Sequence, residues 1–166
     1  FYNLKGKSYS NTIQVEYTGE PLKNLLLFLA FRINDVKQTI NDTLQTKPLL
    51  SRNKGLFTLG YRTPTRKWQF DYTLNFSGSG RLLKSYGMVP NEKEFEPFVT
   101  MNLQVTKMFR RFELYVGVEN LTGFTQKNPI VSWENPWKSK FDASQIWGPL
   151  TEQKFYAGFR MLMLKR

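Results

Sequence analysis

The chain has 166 residues, a net charge of +11 and an aromatic content of 16%. Its hydrophobic content of 40% excludes a disordered chain, and the absence of Cys and His excludes disulfides, a Cys/His zinc site, a thiol nucleophile and imidazole acid-base chemistry. No run of about eighteen apolar residues predicts a membrane-spanning helix. A mean hydropathy of -0.46 is compatible with a membrane β-barrel, which places only alternate residues in lipid.

Period-two alternation of apolar and polar residues predicts β-strands along the chain. The clearest case is the segment 68–77, in which aromatic or aliphatic residues alternate strictly with polar ones. The segment 24–35 is apolar on both faces, and its length and neighbours favour a strand over a helix. The predicted strands cover residues 9–18, 24–35, 55–63, 67–78, 97–109, 111–121 and 153–164.

Short and long connections alternate between these strands. Short turns are predicted at 18–23, 63–67 and 110–111, and long connections at 36–54, 79–96 and 122–152. Outer-membrane barrels have short periplasmic turns and long outer loops, and their strands cross the membrane in about ten residues. We therefore predict an all-β fold, an antiparallel transmembrane β-barrel segment. Single-chain barrels have an even strand count of about eight or more, so seven strands indicate either part of a larger barrel or a miscounted small one.

Alternation also predicts which side of a barrel wall each side chain faces. Lipid-facing positions are predicted at Phe70, Tyr72, Leu74, Val99, Met101, Leu103, Leu114 and Val116. Lumen-facing positions are predicted at Gln69, Asp71, Thr73, Thr100, Asn102, Gln104 and Glu113. Aromatic residues near strand ends predict girdles at the membrane interfaces, formed by Tyr17, Tyr61, Trp68, Phe98, Phe109, Phe112 and Phe155.

Several segments, in this order, carry a family resemblance. They are Pro48-Leu49-Leu50-Ser51-Arg52, Lys67-Trp68-Gln69-Phe70-Asp71, Gly80-Arg81-Leu82, Gly117-Val118-Glu119-Asn120-Leu121-Thr122, Asn128-Pro129-Ile130, Phe141-Asp142-Ala143-Ser144, Trp147-Gly148-Pro149 and Phe155-Tyr156-Ala157-Gly158-Phe159-Arg160. Together they resemble the C-terminal end of TonB-dependent outer-membrane receptors, particularly those of Bacteroidetes. The resemblance implies a barrel of about twenty-two strands with an N-terminal plug. Residues 1–166 would hold the last seven strands or so, without the plug or the earlier strands.

The resemblance also implies a location, a function and partners. The location is the outer membrane of a Gram-negative bacterium, and the function is import of a scarce ligand, such as a glycan, peptide or metal complex, into the periplasm. The implied partners are outer-membrane lipid and lipopolysaccharide, the rest of the same barrel and its plug, and the TonB complex through the missing N-terminal part. A surface lipoprotein is a further candidate partner.

Enzymatic and nucleic-acid functions are not predicted. Asp71 with Glu113 or Glu119 could form a carboxylate pair, but alternation makes them lumen-facing polar residues, so we expect no catalytic residue, metal or cofactor. The basic residues form two belts at the strand ends instead of one stripe, which indicates a membrane protein and not a nucleic-acid binder. The outer belt comprises Lys5, Lys7, Lys37, Lys47, Arg52, Lys54, Lys84, Lys127, Lys138 and Lys140, and the periplasmic belt Lys23, Arg66, Lys67, Arg110, Arg111, Lys165 and Arg166.

The long connection after Thr122 contains the best candidates for contact with a ligand or partner. Exposed aromatic side chains on a loop stiffened by prolines can stack on sugars or peptides, which favours Trp133 and Trp137. Phe141 and Trp147 are instead expected to pack within the loop. Two alternatives stay open: a complete small outer-membrane barrel acting as adhesin or anchor, with an eighth strand in residues 1–8, and a soluble β-module that binds carbohydrate or nucleic acid.

Overall fold

A computed structural model describes residues 6–40, 42–83, 94–130, 132–139 and 141–161. The regular elements of these residues are all strands, which confirms the predicted all-β class. They are β1 (Tyr9–Leu22), β2 (Leu25–Ile40), β3 (Thr43–Thr46), β4 (Asn53–Arg62), β5 (Trp68–Ser77), β6 (Gly80–Arg81), β7 (Glu94–Phe95), β8 (Phe98–Met108), β9 (Phe112–Glu119) and β10 (Lys154–Met161). No helix in these ranges is long and apolar enough to cross a membrane.

Eight strands form one antiparallel sheet in which chain neighbours pair as successive hairpins. Its main path is β1-β2-β4-β5-β8-β9-β10, and β3 pairs with the end of β2. The pair β6 and β7 forms a separate two-stranded sheet. The long connections lie at one end of the main sheet, called here the upper end, and the short turns lie at the lower end. Within the described ranges, β1 and β10 are the two edges of the path.

All seven predicted strands are present, but the first two are longer than predicted. The turn predicted at 18–23 is wrong, because β1 continues through Pro21 with a register shift between Gly19 and Leu22. Proline lacks an N–H group and is tolerated on an edge strand such as β1. The reversal follows at Asn24, whose φ is 67°, and the Asn24 N–H donates a 2.6 Å hydrogen bond to the Glu20 carboxylate.

The predicted long connections contain structure that alternation did not indicate. The connection predicted at 36–54 holds the end of β2, all of β3 and the start of β4, and the next one holds β6 and β7. Two parts of the prediction lie outside the described residues: positions 162–164 of the last strand, and positions 1–5 of the eighth strand that a small barrel would need.

The register divides the main sheet into an apolar and a polar face, since directly opposed residues of antiparallel strands share a face. A row on the apolar face is Gly19, Leu27, Leu59, Tyr72, Leu103, Val118 and Phe155. Apart from the buried Val118 this face is uncovered, and side chains such as Ile13 and Val116 are 69% and 58% exposed. In the described chain, the buried hydrophobic residues are only Leu82, Phe95 and Val118. The main sheet is therefore a single layer without a core of its own.

Candidate functional site

The seven residues predicted to face a lumen share the polar face of the sheet. They are Gln69, Asp71 and Thr73 on β5, Thr100, Asn102 and Gln104 on β8, and Glu113 on β9. The eight residues predicted to face lipid share the apolar face: Phe70, Tyr72, Leu74, Val99, Met101, Leu103, Leu114 and Val116. The register thus agrees with the predicted separation of the two sets. Their contact with a lumen and with lipid stays a prediction.

Polar side chains on this face bond to one another, both along one strand and between strands. The Gln69 amide donates to both carboxylate oxygens of Asp71 at 2.9 Å, and the Tyr156 hydroxyl donates to Gln104 at 3.0 Å. Arg160 forms an ion pair with Glu113 at 3.1 Å. The two acidic residues considered as a catalytic pair, Asp71 and Glu113, thus have separate partners.

Two tyrosines on the polar face lie over glycines of the neighbouring strand. Tyr156 is opposite Gly117, and Tyr115 is opposite Gly158. A Cβ atom at Gly117 would lie 2.4 Å from the Tyr156 ring and 2.8 Å from the Leu103 carbonyl oxygen. The Tyr156 ring could turn away, but the Leu103 carbonyl oxygen belongs to the paired backbone of β8, so a residue larger than glycine would disturb the sheet there.

A groove of about 300 Å³ crosses β1, β2, β4 and β5 on the polar face near the upper end. Its polar lining comes from Gln14, Glu16, Arg32, Lys54, Asn75 and Ser77, and its apolar lining from Phe28, Ala30, Gly55, Leu56 and Phe76. Lys54 was predicted to lie in an outer loop, and that prediction is wrong, because β4 begins at Asn53. The alternation starts two residues earlier than predicted, which brings Lys54 onto the sheet.

An aromatic cluster joins the upper connections to one another and to β8. It consists of Phe95, Phe98, Phe124 and Trp147. The ring centroids of Phe95 and Trp147 are 4.9 Å apart, and those of Phe98 and Phe124 are 4.8 Å apart. Phe98 was predicted to belong to an interfacial girdle, but the register places it on the polar face, opposite Ser77. Trp147 thus packs against other aromatic rings, as was expected from the sequence.

Two glutamines fix the backbone around the aromatic cluster. Gln126 accepts hydrogen bonds from the N–H groups of Trp147 and Gly148 at 2.8 and 3.1 Å and donates to the Gln145 carbonyl at 2.6 Å. Gln145 is 1% exposed, and its side chain bonds both the N–H and the carbonyl of Leu83 at 3.2 Å. Sequence reasoning missed both residues, because a buried glutamine in a loop has no periodic signature.

Asn120 closes the base of the long connection between β9 and β10. Its side-chain amide donates to the carbonyls of Phe124 and Thr151 at 2.8 and 3.0 Å, so one residue bonds both ends of the connection. Its φ is 50°, a conformation that asparagine adopts more readily than most residues. The resemblance segment contains Asn120, but sequence reasoning gave this residue no role.

Trp133 and Trp137, the candidate contact residues, lie near the tip of the same connection. Trp133 is 69% exposed and Trp137 is 95% exposed. The turns around them are bonded internally, with the Lys138 N–H 3.1 Å from the Asn135 carbonyl. Phe141, which was expected to pack within the loop, remains 37% exposed. The structure therefore separates a packed base from a tip that presents two indole rings.

The basic residues assigned to the two belts lie mostly where they were predicted. Lys23, Arg66, Lys67, Arg110 and Arg111 lie at the lower end. Lys107 borders the apolar face there, with its ammonium 4.4 Å from the Trp68 ring centroid and 5.6 Å from that of Phe109. Lys37 was predicted to lie in an outer loop, and that prediction is wrong, because β2 continues to Ile40 at the upper end. A hydrogen bond with Tyr9, followed by the charges of Tyr9 and Asp35, raises the pKa of Lys37. Lys5, Lys84, Lys140, Lys165 and Arg166 lie outside the described residues.

Comparisons of this chain with protein-family models and with curated proteins transfer no function to it. No protein-family model matches it, and no curated protein is significantly similar to it. In the part of the chain that the structure describes, no group of three or more acidic side chains could hold a metal ion. The candidate sites are therefore the polar-face groove and the tip with Trp133 and Trp137, judged on geometry alone.

Proposed function

We propose that this chain forms part of the wall of an outer-membrane β-barrel, and that the polypeptide is a TonB-dependent receptor importing a scarce ligand into the periplasm. The supporting observation is the uncovered apolar face, which extends over all seven strands of the main path. Soluble domains cover such a face with a second layer and rarely expose an apolar patch above a few hundred Å². Lipid provides the cover in our proposal.

The dimensions of the apolar face support this environment. Along β5 the face runs from Trp68 to Phe76, and the eight steps between them at a rise of about 3.3 Å span roughly 26 Å. At the tilt of about 35–45° usual for barrel strands, this corresponds to a band roughly 19–22 Å tall, slightly less than the apolar band of about 25 Å in outer-membrane barrels. Trp68 and Lys107 at its lower border suit the headgroup region, where aromatic and basic side chains concentrate.

The connections and the family resemblance support the remaining parts of the proposal. Short turns at one end and long, packed connections at the other match the arrangement of outer-membrane barrels, with the upper end outside the cell. The assignment to TonB-dependent receptors, and with it ligand import, depends on the resemblance of the C-terminal segments. The exposed Trp133 and Trp137 would then face ligand or a surface lipoprotein.

The structure gives less support to the small complete barrel. That alternative needs residues 1–8 to pair beside β10, but the described residues of this segment lie along β2. The Thr39 hydroxyl donates to the Lys7 carbonyl at 2.6 Å, and Ser8 accepts a 3.4 Å bond from the Thr39 N–H. Residues 7 and 8 thus extend β1 at the opposite edge of the sheet.

Cysteine labelling tests the membrane orientation, since the 166 residues contain no Cys. In the full polypeptide expressed in a Gram-negative host, Trp137→Cys should react with a membrane-impermeant maleimide on intact cells. Arg66→Cys, in a lower turn, should react only after the outer membrane is permeabilised. The parental polypeptide reports background labelling. Equal labelling of both variants in intact cells, or recovery of the polypeptide in the soluble fraction, would contradict the proposal.

The TonB part of the proposal needs its own test. Photo-crosslinking in vivo should join the full polypeptide to TonB, and deletion of TonB should abolish ligand uptake without lowering the amount of folded barrel. A correctly oriented barrel that never crosslinks to TonB would retain the membrane assignment and reject the receptor class.

A further inference from the structure

Two positive charges lie directly opposite each other on the polar face. Arg32 on β2 and Lys54 on β4 are register partners, and both line the groove near the upper end. Like charges at directly opposed positions destabilise a sheet. The ion pairs of the described chain, Arg52 with Glu94 and Arg160 with Glu113, involve neither residue. The sheet therefore holds two adjacent positive charges, neither of which forms an ion pair with a described carboxylate.

The groove around this pair has polar groups but little compensating charge. Glu16, its one acidic lining residue, is a diagonal neighbour of Arg32 and accepts a hydrogen bond from the Gln14 amide. It does not approach either cation closely enough to form an ion pair. Ser77, the partner of Lys54 on β5, adds a neutral hydroxyl donor.

We propose that Arg32 and Lys54 form a binding site for a small organic anion carrying a carboxylate or phosphate group. The guanidinium offers a planar pair of donors and the ammonium a point charge, so together they can hold two oxygens of one anionic group. Ser77 can donate a further hydrogen bond. Phe28 and Leu56 line the groove and can cover the hydrocarbon part of the solute. The groove volume of about 300 Å³ lies at the lower end of the range for ligand sites, so the solute must be small.

An anionic group between Arg32 and Lys54 could belong to a diffusing solute or to an acidic side chain from another segment of the polypeptide. An added anion can bind only if no acidic side chain already occupies the site. The site depends on strand register and not on what covers the apolar face. Its failure is therefore distinguishable from failure of the proposed membrane location.

Binding of two probes to the full polypeptide in a nonionic detergent tests the site. The probes are succinate and sn-glycerol 3-phosphate, with succinamide as the uncharged counterpart of succinate, measured by isothermal titration calorimetry. The variant is Arg32→Gln/Lys54→Gln. The matched control, Arg62→Gln/Lys154→Gln, removes the same charge from the same face outside the groove. We expect at least one anionic probe to bind, succinamide not to bind, and the groove variant alone to weaken binding by about tenfold or more.

Each remaining outcome has a fixed meaning. If neither probe binds but the groove variant has a lower urea midpoint than the matched control, an acidic side chain of the polypeptide occupies the site, and the proposed site for a small organic anion is overturned. Undiminished probe binding in the groove variant would overturn the proposal. So would the lack of probe binding together with a groove variant as stable as the control or more stable.

Discussion

The single-layer sheet and the connections above it solve the burial of apolar side chains in opposite ways. The sheet presents Leu103, Val116 and their neighbours outward on an uncovered face. The connections bury Leu82 and Phe95 and stack Trp147 against Phe95, as a soluble protein does. The described chain therefore contains a sheet, called here the wall, whose apolar face is largely without protein cover, and packed upper connections, called here the cap, that bury their own apolar side chains.

This difference indicates that the two regions respond to mutation by different rules. In the cap, side chains that fill space or satisfy backbone groups should determine stability, as in any packed interior. In the wall, the deciding property should be the polarity of residues on the apolar face, because no second layer of the described chain packs there. The following substitutions compare the two regions.

The largest effect is expected from Trp147→Ala in the cap. Removing an indole that contacts three other rings leaves a cavity, and large-to-small changes of this kind cost about 3 kcal/mol or more. The cap should then open locally, and trypsin should cleave after Lys127 and Lys138 faster in the detergent-solubilised full polypeptide. Trp137→Ala, at a 95% exposed position, is the matched control and should leave cleavage unchanged. Equal rates for both variants would show that the cluster does not hold the cap together.

A similar but smaller effect is expected from Leu103→Arg in the wall. Leu103 lies in the middle row of the apolar face, and an arginine facing lipid at mid-membrane costs about 2–4 kcal/mol. Urea unfolding of the full polypeptide in lipid vesicles gives the change in free energy. Gln104→Arg, on the polar face, should be far milder, but it also removes the acceptor for Tyr156. Thr73→Arg on the same face is therefore the better control, and equal losses for Leu103→Arg and Thr73→Arg would refute the face assignment.

The paired substitution Trp133→Ala/Trp137→Ala should affect binding without affecting the fold. If the tip captures ligand or a lipoprotein, loss of two exposed aromatic anchors should weaken that binding by about 1–3 kcal/mol. The measurement is binding of the native ligand to whole cells, normalised to the amount of folded barrel. Unchanged binding would leave the tip as a structural cover.

The smallest effect is expected from Tyr156→Phe, which removes one hydroxyl from the polar face. The 3.0 Å hydrogen bond to Gln104 is lost while the ring still covers Gly117, so stability should fall by about 0.5–1.5 kcal/mol. Gly117→Ala should be more severe in the same urea assay, because its Cβ would meet a backbone oxygen. If Tyr156→Phe were the worse of the two, the close approach at Gly117 would not constrain the sheet.

The strands could be predicted from sequence because their signal is local. From Trp68 to Ser77, each residue shows by its own polarity which face it takes, and the register agrees with that pattern across the neighbouring strands. The turn at 18–23 was predicted wrongly because the same residue types occur both in turns and in irregular edge strands. Gly19 and Pro21 are typical turn residues, but here they lie in an edge strand. The register shifts between Gly19 and Leu22, and the N–H group that Pro21 lacks is not needed at a sheet edge.

The cap could not be predicted in the same way because its contacts are long-range. The side chain of Gln145 bonds the backbone of Leu83, a residue 62 positions earlier, and nothing near either position indicates that pairing. The groove depends on a register, since Arg32 and Lys54 become neighbours only when β2 and β4 align. The exposure of Trp133 and Trp137 could be predicted, because composition and prolines are local features of the sequence.

The two hydrogen bonds from the Asn120 side chain to the carbonyls of Phe124 and Thr151 affect how the sequence of this protein can vary. By joining the two ends of the connection at its neck, they isolate β9 and β10 from changes in chain length farther out. The entropic cost of closing a loop increases slowly with loop length, by about 0.6 kcal/mol for each doubling. Insertions between residues 132 and 139 should therefore cost little stability, so this tip can change in length and sequence while the strand register below it stays the same.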